Sequence, residues 1–451
     1  MAVAATVIPA KRMSTLEQIY LSFYWLSSNV LWGAVITILV PAQVSRMVPD
    51  AIQGTASGLA IALGSITGMV LPPFMGAWSD RVKFKIGRRR PFMLIGTAIN
   101  VLGLVGMAYF PFLSTSPLWG LTVAFWFFVA AYLVTNFGSN FATAPFNALM
   151  PDVVPPPQRG TAAGWLGLMT ILGSGVGIFA AGQIVKSADP LPVFQSQIFT
   201  VYAIIGVLLI IGVLVTVWGT KEKPLMTEPK PFHWNEFWAG LISPFRSRDF
   251  FWVFLTRLLM TMGFIGIQSF LLYYMRDVTV TFQAFGRTLA SSPEEAETWV
   301  LLLLLLFAVF STLVAGQISD RFGRKPLVYI SGGIMSIVAV GLIVAHAYSA
   351  ALIIGALFGI GYGAYTSVDW ALATDVLPNM DDAAKDMGIW HIALTFPQLA
   401  GAPIAGFLRD VGQSYGKLHG LPTLGYTIMF GVAIIYFVLG TVFVARVKKA
   451  R

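Results

Sequence analysis

Polar side chains recur at helical spacing inside several long apolar segments of this chain. Tyr362, Tyr365, Thr366 and Asp369 lie three or four residues apart, so a helix would present them on one face. Hydroxyl and amide groups can hydrogen-bond a neutral polyhydroxylated molecule, flat rings can stack on a sugar, and a carboxylate can carry a proton. The alternative is that these groups hydrogen-bond neighbouring helices. Two more segments carry such sets, Trp25, Asn29 and Trp32 in one and Tyr132, Asn136 and Asn140 in the other, and a further segment carries the polar residue Gln268.

The elements that carry these residues are predicted to span a membrane. Of the 451 residues, 57% are hydrophobic and 11% are charged, whereas a soluble domain carries roughly 25% charged residues. In lipid every backbone polar group must be paired within the protein, which leaves helices or a closed barrel. The apolar segments have the length of about 20 residues that a spanning helix needs, and they lack the alternation of barrel strands. The first segment is too long for a signal-peptide core, so no cleaved signal is expected.

Twelve spans are predicted, with both chain ends on one side of the membrane. Of the 29 Lys and Arg residues, 22 fall in segments on the side of the termini, six on the other side, and Arg257 within a span. Positive charge collects in cytoplasmic loops, so both termini are predicted to be cytoplasmic, and the net charge of +9 does not indicate nucleic-acid binding. The predicted spans are 19–41, 52–75, 91–111, 118–141, 160–184, 199–218, 250–274, 298–318, 326–346, 350–373, 386–411 and 424–445.

A duplicated basic loop divides the chain into two related halves. Two motif positions, Asp80 and Asp320, are 240 residues apart, and Asp152 and Asp375 sit in a second matched pair before Pro155 and Pro378. The predicted organisation is a half at 1–218, a linker at 219–249 and a half at 250–451. Aromatic residues in the linker favour an amphipathic helix on the inner membrane interface, with an unstructured linker as the alternative. The loop copies are Gly76-Ala77-Trp78-Ser79-Asp80-Arg81 with Gly87-Arg88-Arg89-Arg90-Pro91, and Gly316-Gln317-Ile318-Ser319-Asp320-Arg321-Phe322-Gly323-Arg324-Lys325-Pro326.

This pair of loops resembles the signature of the major facilitator superfamily, and the resemblance covers the whole chain. It implies an all-α membrane protein with twelve transmembrane helices in two pseudo-symmetric six-helix halves, working as a transporter. It also implies a latch that holds the cytoplasmic side shut, in which Asp80 faces a helix N-terminus of the other half and arginines pair with acidic helix ends. The alternative is that the arginines only enforce topology. The latch residues implied are Asp80, Arg81, Gly87, Arg88, Arg89, Arg90, Asp152, Asp320, Arg321, Arg324 and Asp375.

Three stretches are similar to a narrower group, the sucrose/proton symporters and their bacterial relatives near the glycoside–pentoside–hexuronide group. They begin at Gly87 (Gly-Arg-Arg-Arg-Pro-Phe), at Ala144 (Ala-Pro-Phe-Asn-Ala-Leu) and at Asp386 (Asp-Met-Gly-Ile-Trp-His-Ile-Ala). The resemblance implies proton-driven import of a glycoside such as sucrose or maltose. In the superfamily, spans 1, 4, 7 and 10 line a central cavity. The solute-binding residues predicted on this basis are Trp25, Asn29, Trp32, Tyr132, Asn136, Asn140, Gln268, Tyr362, Tyr365 and Thr366.

The chain departs from the plant sucrose carriers at two positions. They have an aspartate where this chain has Asn136 and an arginine where it has Asn147. That aspartate is the family's candidate for proton coupling, so coupling is predicted to use Asp369 or His391 instead. Each has a structural alternative, an ion pair for Asp369 and an interhelical hydrogen bond for His391. Arg257 is expected to pair or to reach the interface rather than to bind solute.

Other functions stay open because a fold does not determine its substrate. The alternative is a facilitator or efflux carrier for a drug, an organic anion or a nucleoside, and a sensor that has lost transport is a further one. The sequence shows no phosphate-binding Gly-x-x-x-x-Gly-Lys-Ser/Thr loop, no metal-ligand spacing among its four histidines and no Ser/His/Asp set, so enzyme chemistry, metals and cofactors are not expected. The expected partners are a small neutral solute, a proton or other cation, and lipid. A monomer in a bacterial inner membrane is expected.

Overall fold

Twelve long helices build the protein in a computed structural model, which describes residues 12–79, 82, 84, 86–112, 116–118, 121–220, 222, 243–376 and 383–448. We number them α1 to α12 along the chain. Their bounds are α1 Thr15–Met47, α2 Gln53–Ser79, α3 Arg90–Tyr109, α4 Val123–Val153, α5 Arg159–Ile184, α6 Leu191–Gly219, α7 Arg248–Gln268, α8 Pro293–Phe322, α9 Arg324–Val344, α10 Tyr348–Asp375, α11 Ala383–Leu418 and α12 Leu424–Phe443.

Two of the helices are irregular. Helix α1 contains a π-helical turn at Val35–Leu39. Helix α7 is broken at Ser269 and continues as Leu271–Tyr274 and a π-helical turn at Met275–Thr279. Broken helices are tolerated at membrane depth where the freed backbone groups are buried in protein. Short elements complete the described chain: β1 Pro117–Leu118 pairs with β2 Leu121–Thr122, β3 Gln283–Ala284 pairs with β4 Arg287–Thr288, and single 3₁₀ turns lie at Asp50–Ile52, Phe110–Phe112, Pro156–Gln158, Ser243–Arg246 and Val444–Arg446.

The helices match the predicted spans in number and order. In the described residues, eleven of them are long and apolar enough to cross a membrane. The long helix that is not among these eleven is α11. It carries Arg409 and Asp410, which are buried within the protein rather than turned to lipid. The largest difference in bounds is at α4, which continues to Val153 instead of ending near 141. The predicted amphipathic helix of the linker falls largely within 223–242, outside the described residues.

The contacts between helices repeat when every helix number is raised by six. Helix α1 packs on α5 and α6, as α7 packs on α11 and α12; α3 packs on α4 and α6, as α9 packs on α10 and α12; and α2 packs on α4, as α8 packs on α10. The two halves meet through α2 with α11 and through α5 with α8. These two contacts are equivalent, because α8 is the counterpart of α2 and α11 is the counterpart of α5. The structure therefore confirms the two pseudo-symmetric six-helix halves predicted from the duplicated loops.

Candidate functional site

A central cavity of about 800 Å³ lies between the two halves. Its walls come from α1, α2, α4 and α5 of the first half and from α7, α8, α10 and α11 of the second. Ligand pockets for small molecules commonly measure about 300–1,000 Å³. None of the side chains that line this cavity in the described structure is charged. The cavity therefore suits a neutral solute.

Eight of the ten predicted solute-binding residues line the cavity, and two do not. Tyr132 is buried away from it, with its ring edge-on to Trp32 at 6.3 Å between ring centroids. Tyr365 points to Asp369, to which its hydroxyl donates a hydrogen bond of 3.1 Å. Both were predicted from helical spacing, which places residues on a face but does not distinguish a cavity from a neighbouring helix. The eight lining residues are Trp25, Asn29, Trp32, Asn136, Asn140, Gln268, Tyr362 and Thr366.

The indole groups of the cavity are held in place by hydrogen bonds to other helices. The Nε1 of Trp25 donates to the Thr170 hydroxyl at 2.7 Å, and the Nε1 of Trp32 donates to the Ser139 hydroxyl at 3.2 Å. The ring of Trp25 also stacks on Phe146, with centroids 5.7 Å apart and planes 9° from parallel. Because their donors are already paired, these rings can offer a solute their flat faces and little else.

The amide groups of the cavity differ in what they leave free. Asn29 and Asn140 each donate to a carbonyl on their own helix, at 2.7 and 2.9 Å, which leaves the side-chain oxygen as an acceptor. Gln268 and Gln398 line the cavity from α7 and α11, and neither makes a hydrogen bond within the described part of the protein. A primary amide has two donor hydrogens and an acceptor oxygen. These two glutamines can therefore bind hydroxyl groups of a solute without first breaking a protein contact.

Sequence reasoning missed the contribution of helices other than 1, 4, 7 and 10. Gln398 on α11 faces the cavity, and a polar residue within a predicted span was the signal that could have found it. The lining hydroxyl group of α2 and that of α8 each sit alone, and α5 carries only a pair one turn apart, so no long stripe marks them. These additional hydroxyls belong to Ser65, Thr170, Ser174 and Thr312.

A buried ion pair joins α7 to α10 beside the cavity. Arg257 contacts Asp369 directly, and 4% and 2% of their side chains are exposed. The guanidinium also lies over the ring of Trp390 on α11, 3.4 Å from its centroid. The structure thus places Asp369 in the ion pair that was the alternative to a coupling role, and the coupling role stays a prediction. His391 lies on α11, but its side chain is outside the described residues.

Each half contains one copy of an arginine cluster at what we call the basic end, where the loops after α2 and α8 lie. In the first half Arg89 donates to the Ser79 hydroxyl and pairs with Asp152 at 3.2 Å. In the second half Arg324 donates to the Ser319 hydroxyl at 2.9 Å and pairs with Asp375 at 3.3 Å. The two motifs that are separate in the sequence therefore meet in each half.

A glycine with positive φ precedes each cluster. Gly87 has φ of 111° and Gly323 has φ of 93°, a conformation that side chains with a Cβ rarely adopt. The turn after Gly87 is also held by Glu222, whose carboxylate accepts from the Arg89 backbone N–H at 3.0 Å. Burial raises the pKa of Glu222, and the backbone donors and positive charge of the arginines only partly offset that effect. Arg88 adds an ion pair of 2.7 Å with Asp152.

The remaining latch residues form no contact between halves in the described structure. Arg90 donates to the Ile86 carbonyl at 3.4 Å within its own turn. Arg321 is exposed at the end of α8. Asp80 and Arg81 lie outside the described residues, as does the side chain of Asp320. The predicted contact of Asp80 with the other half stays a prediction.

Hydrogen bonds join the two halves at the opposite end, where the segments after α1 and α7 lie. The Asp410 carboxylate of α11 accepts from the backbone N–H groups of Gly54 and Thr55 at 3.1 and 2.6 Å, so it caps the first turn of α2 across the interface. Tyr273 shares a hydrogen bond of 2.8 Å with Ser57, and Arg276 donates to Gln53 at 2.8 Å. This end is sealed.

The glycines of α2 and α5 indicate where these helices lie close to the second half and where they lie apart from it. A Cβ added to Gly58, on the sealed side of α2, would lie 2.6 Å from the Ala402 carbonyl oxygen of α11. A Cβ at Gly76, Gly160 or Gly164 would meet nothing within 4 Å. Close helix approach needs small residues, and in the described part of α2 and α5 the glycines near the basic end make no such approach to the second half. Within the described residues the cavity therefore opens towards the basic end.

Comparisons with known proteins identify the family. A family model described as MFS/sugar transport protein matches residues 4–381. The sucrose transport protein SUC3 of Arabidopsis thaliana is 30% identical over 190 residues, which cover 37% of this chain and 31% of that protein. The sucrose transport protein SUT5 of Oryza sativa subsp. indica is 22% identical over 445 residues, or 86% of this chain and 80% of that protein. Proton-associated sugar transporter A of Rattus norvegicus is 27% identical over 42% of this chain, and the match spans a quarter of the rat protein.

Solved structures share the fold at low sequence identity. The nucleoside transporter NupG superposes with a TM-score of 0.70 at 13% identity, over 96% of this chain and 100% of that one. A D-xylose-proton symporter superposes with a TM-score of 0.67 at 15% identity, over 96% and 98%. The family model and the curated relatives describe membrane transporters, so the prediction that the chain is a transporter and not an enzyme is confirmed. The chain is an integral membrane protein that belongs to the MFS/sugar transport protein family.

Proposed function

We propose that the protein imports a neutral sugar, most suitably a disaccharide such as sucrose or maltose, together with a proton. The observation that carries the proposal is the uncharged cavity of about 800 Å³, lined by amides, hydroxyls and indole rings. Amides and hydroxyls match the hydroxyl groups of a sugar, and the rings match its apolar faces. An organic anion would leave its charge unpaired in this cavity, which is costly in a low dielectric.

The way the two halves meet supports transport by alternating access. In this structure the opposite end is sealed by hydrogen bonds between halves, whereas among the described residues the basic end is open. We take the basic end as cytoplasmic because positive loops stay on that side, which places both termini inside the cell and makes this an inward-open state. The membrane proposed is the inner, or plasma, membrane, and the protein is proposed to act as a monomer.

Proton drive is supported by names of relatives rather than by a group in the cavity. The rat relative is named a proton-associated sugar transporter, and the xylose carrier with the same fold is named a proton symporter. Because the described cavity lining has no titratable carboxyl or histidine, the proton must bind elsewhere in the protein. Asp369, in its ion pair with Arg257, is one candidate.

Reconstitution in liposomes tests the proposal. Radiolabelled sucrose and maltose uptake is measured with and without an inward proton gradient, and with unlabelled nucleosides as competitors. We expect accumulation above equilibrium only with the gradient, and no competition by nucleosides. Uptake that merely equilibrates would make the protein a facilitator. Inhibition by nucleosides without sugar uptake would favour the alternative solute, for which the aromatic cavity walls also offer stacking surfaces.

Replacing Gln268 with leucine is expected to weaken sugar binding. The amide makes no hydrogen bond to the described protein, so its loss removes one or two bonds to the solute and little else. A hydrogen bond contributes about 0.5–1.5 kcal/mol net, so we expect KM to rise by about ten-fold with little change in kcat. Gln195→Leu, on α6 and away from the cavity, is the matched control. Equal KM values for Gln268→Leu and wild type would remove Gln268 from the binding site.

A further inference from the structure

Two carboxyl groups that the proposed transport cycle does not use are buried at the sealed end. Glu294 and Glu297 lie three residues apart at the start of α8, and both side chains are 0% exposed. One oxygen of Glu294 accepts a hydrogen bond of 2.9 Å from the Ser187 backbone N–H, after α5. The other oxygen of Glu294 and both oxygens of Glu297 are buried and have no hydrogen-bond partner in the described structure.

These groups lie where the two halves touch. A Cβ added to Gly182 of α5 would stand 2.9 Å from the Glu294 carbonyl oxygen. Thr298, the residue after Glu297, donates to that same carbonyl at 2.8 Å and lies 3.4 Å from the Ile178 carbonyl of α5. Glu297 is buried between Glu294 and Thr298, whose contacts with α5 must break when the sealed end opens.

The described structure provides no cation that neutralises Glu297. The Tyr348 hydroxyl of α10 donates to the carbonyl of Ala296, the residue before Glu297, at 3.1 Å. On the segment after α7, which contacts α8, Arg276 pairs with Asp277 at 2.8 Å. Glu295, on the same helix, accepts from Ser291 and is partly exposed. None of the titratable and charged groups on the elements packed against this site forms an ion pair with Glu297 in the described structure. These groups are Glu294, Glu295, Tyr348, Tyr273, Tyr274, Lys186, Asp189, His346, Arg276 and Asp277.

A carboxylate buried without a partner is far more costly than a neutral carboxylic acid. The neighbouring Glu294 adds like-charge repulsion if both groups are ionised. We propose that Glu297, beside Glu294, is a proton-binding site whose protonation allows α5 and α8 to close the sealed end. Opening that end admits water to the carboxyl group and permits the charged form. The proposal rests on the alternating access proposed above, and it assigns that cycle a proton.

The site also lies close to the cavity. Leu301, four residues after Glu297, lines the cavity wall, and four residues correspond to about 6 Å along a helix. The proton held by Glu297 in this structure is therefore about one helical turn from the space that opens to the basic end. That position allows a proton to enter from one side of the membrane and to leave on the other.

Spin-label distances test the site without any solute. The chain has no cysteine, so cysteines placed at the exposed residues Ala188 and Thr288 would report the separation of the halves at this end. We expect the closed population to dominate at acidic pH, and the ratio of closed to open molecules to fall about ten-fold per pH unit above the midpoint. In Glu297→Gln the closed population should persist at every pH. Glu295→Gln, which changes a partly exposed carboxyl on the same helix, should titrate like wild type.

Two results would overturn the proposal: a wild-type distance that does not change with pH, and a Glu297→Gln variant that titrates like wild type. Infrared spectroscopy provides a second readout, because a protonated carboxylic acid has a C=O stretch that a carboxylate lacks. That band should be present in wild type and reduced in Glu297→Gln. Its absence, with a distance that responds to sodium instead, would make this a metal-ion site. Since no sugar is needed, failed sugar uptake with a titrating distance would refute the proposed solute alone.

Discussion

Replacing Arg257 with methionine is expected to cost about 3–5 kcal/mol of stability and to abolish transport, because removing one partner of a buried ion pair strands the other. The stranded group is Asp369, of which 2% is exposed. Its remaining hydrogen bond, from Tyr365, cannot replace a full positive charge. Thermal unfolding of the purified protein in detergent and sugar uptake in liposomes would measure the two effects.

The double variant Arg257→Met with Asp369→Asn separates a structural role of Asp369 from a coupling role. It removes both charges, and a buried ion pair replaced by neutral groups of similar size is often close to neutral in stability. We expect the double variant to regain most of the stability and also the gradient-driven accumulation. If stability returns but uptake only equilibrates, Asp369 carries the coupling proton. If neither returns, the contact of Arg257 with the Trp390 ring is itself needed for the fold.

The Gly58→Val variant is expected to prevent the protein from closing at the sealed end. A Cβ at this position would lie 2.6 Å from the Ala402 carbonyl oxygen and 2.7 Å from the Pro403 Cα, both of which are backbone atoms that cannot turn away. Overpacking a close contact costs about 1–3 kcal/mol, so the inward-open population should fall by roughly ten- to a hundred-fold. Uptake rates should fall in proportion, and spin labels at the sealed end should report a longer distance.

Gly164→Val should have the opposite effect on the conformational equilibrium. In this structure a Cβ at Gly164 meets nothing within 4 Å, because α5 and the second half are apart at the basic end. Closing that end would bring a new side chain into the contact, so the variant should hold the protein in the state described here. Gly431→Val, at an open position on α12, is the neutral control. If Gly58→Val transports like Gly431→Val, closure at this end is not part of the cycle.

The predicted polar stripe on α10 shows the limit of helical spacing as a predictor of cavity residues. Tyr362 and Thr366 line the cavity, whereas Tyr365 and Asp369 turn into a network with α7. All four satisfy the same periodicity, since a helix face is broad enough to meet both a cavity and a neighbour. Which residue does which depends on Arg257, more than a hundred positions away in the sequence.

The sequence by itself determined the class of the molecule. Apolar segments about as long as a bilayer is thick, and a basic loop that occurs twice with Asp80 and Asp320 240 residues apart, are local features. They were enough to predict twelve helices, two halves and the family. The arginine clusters pair as matched sets because the same motifs recur in both halves.

Only the tertiary structure decided which end is sealed, which amides remain free for a solute and which carboxyl groups are left without a partner. Gln268 and Glu297 are inconspicuous in the sequence, one amide in an apolar span and one of three glutamates at a helix start. Their significance arises from what the other half places beside them, such as Ile178 and Gly182 near the start of α8. Contacts between halves depend on how two folded units meet, and no periodicity within one helix carries that information.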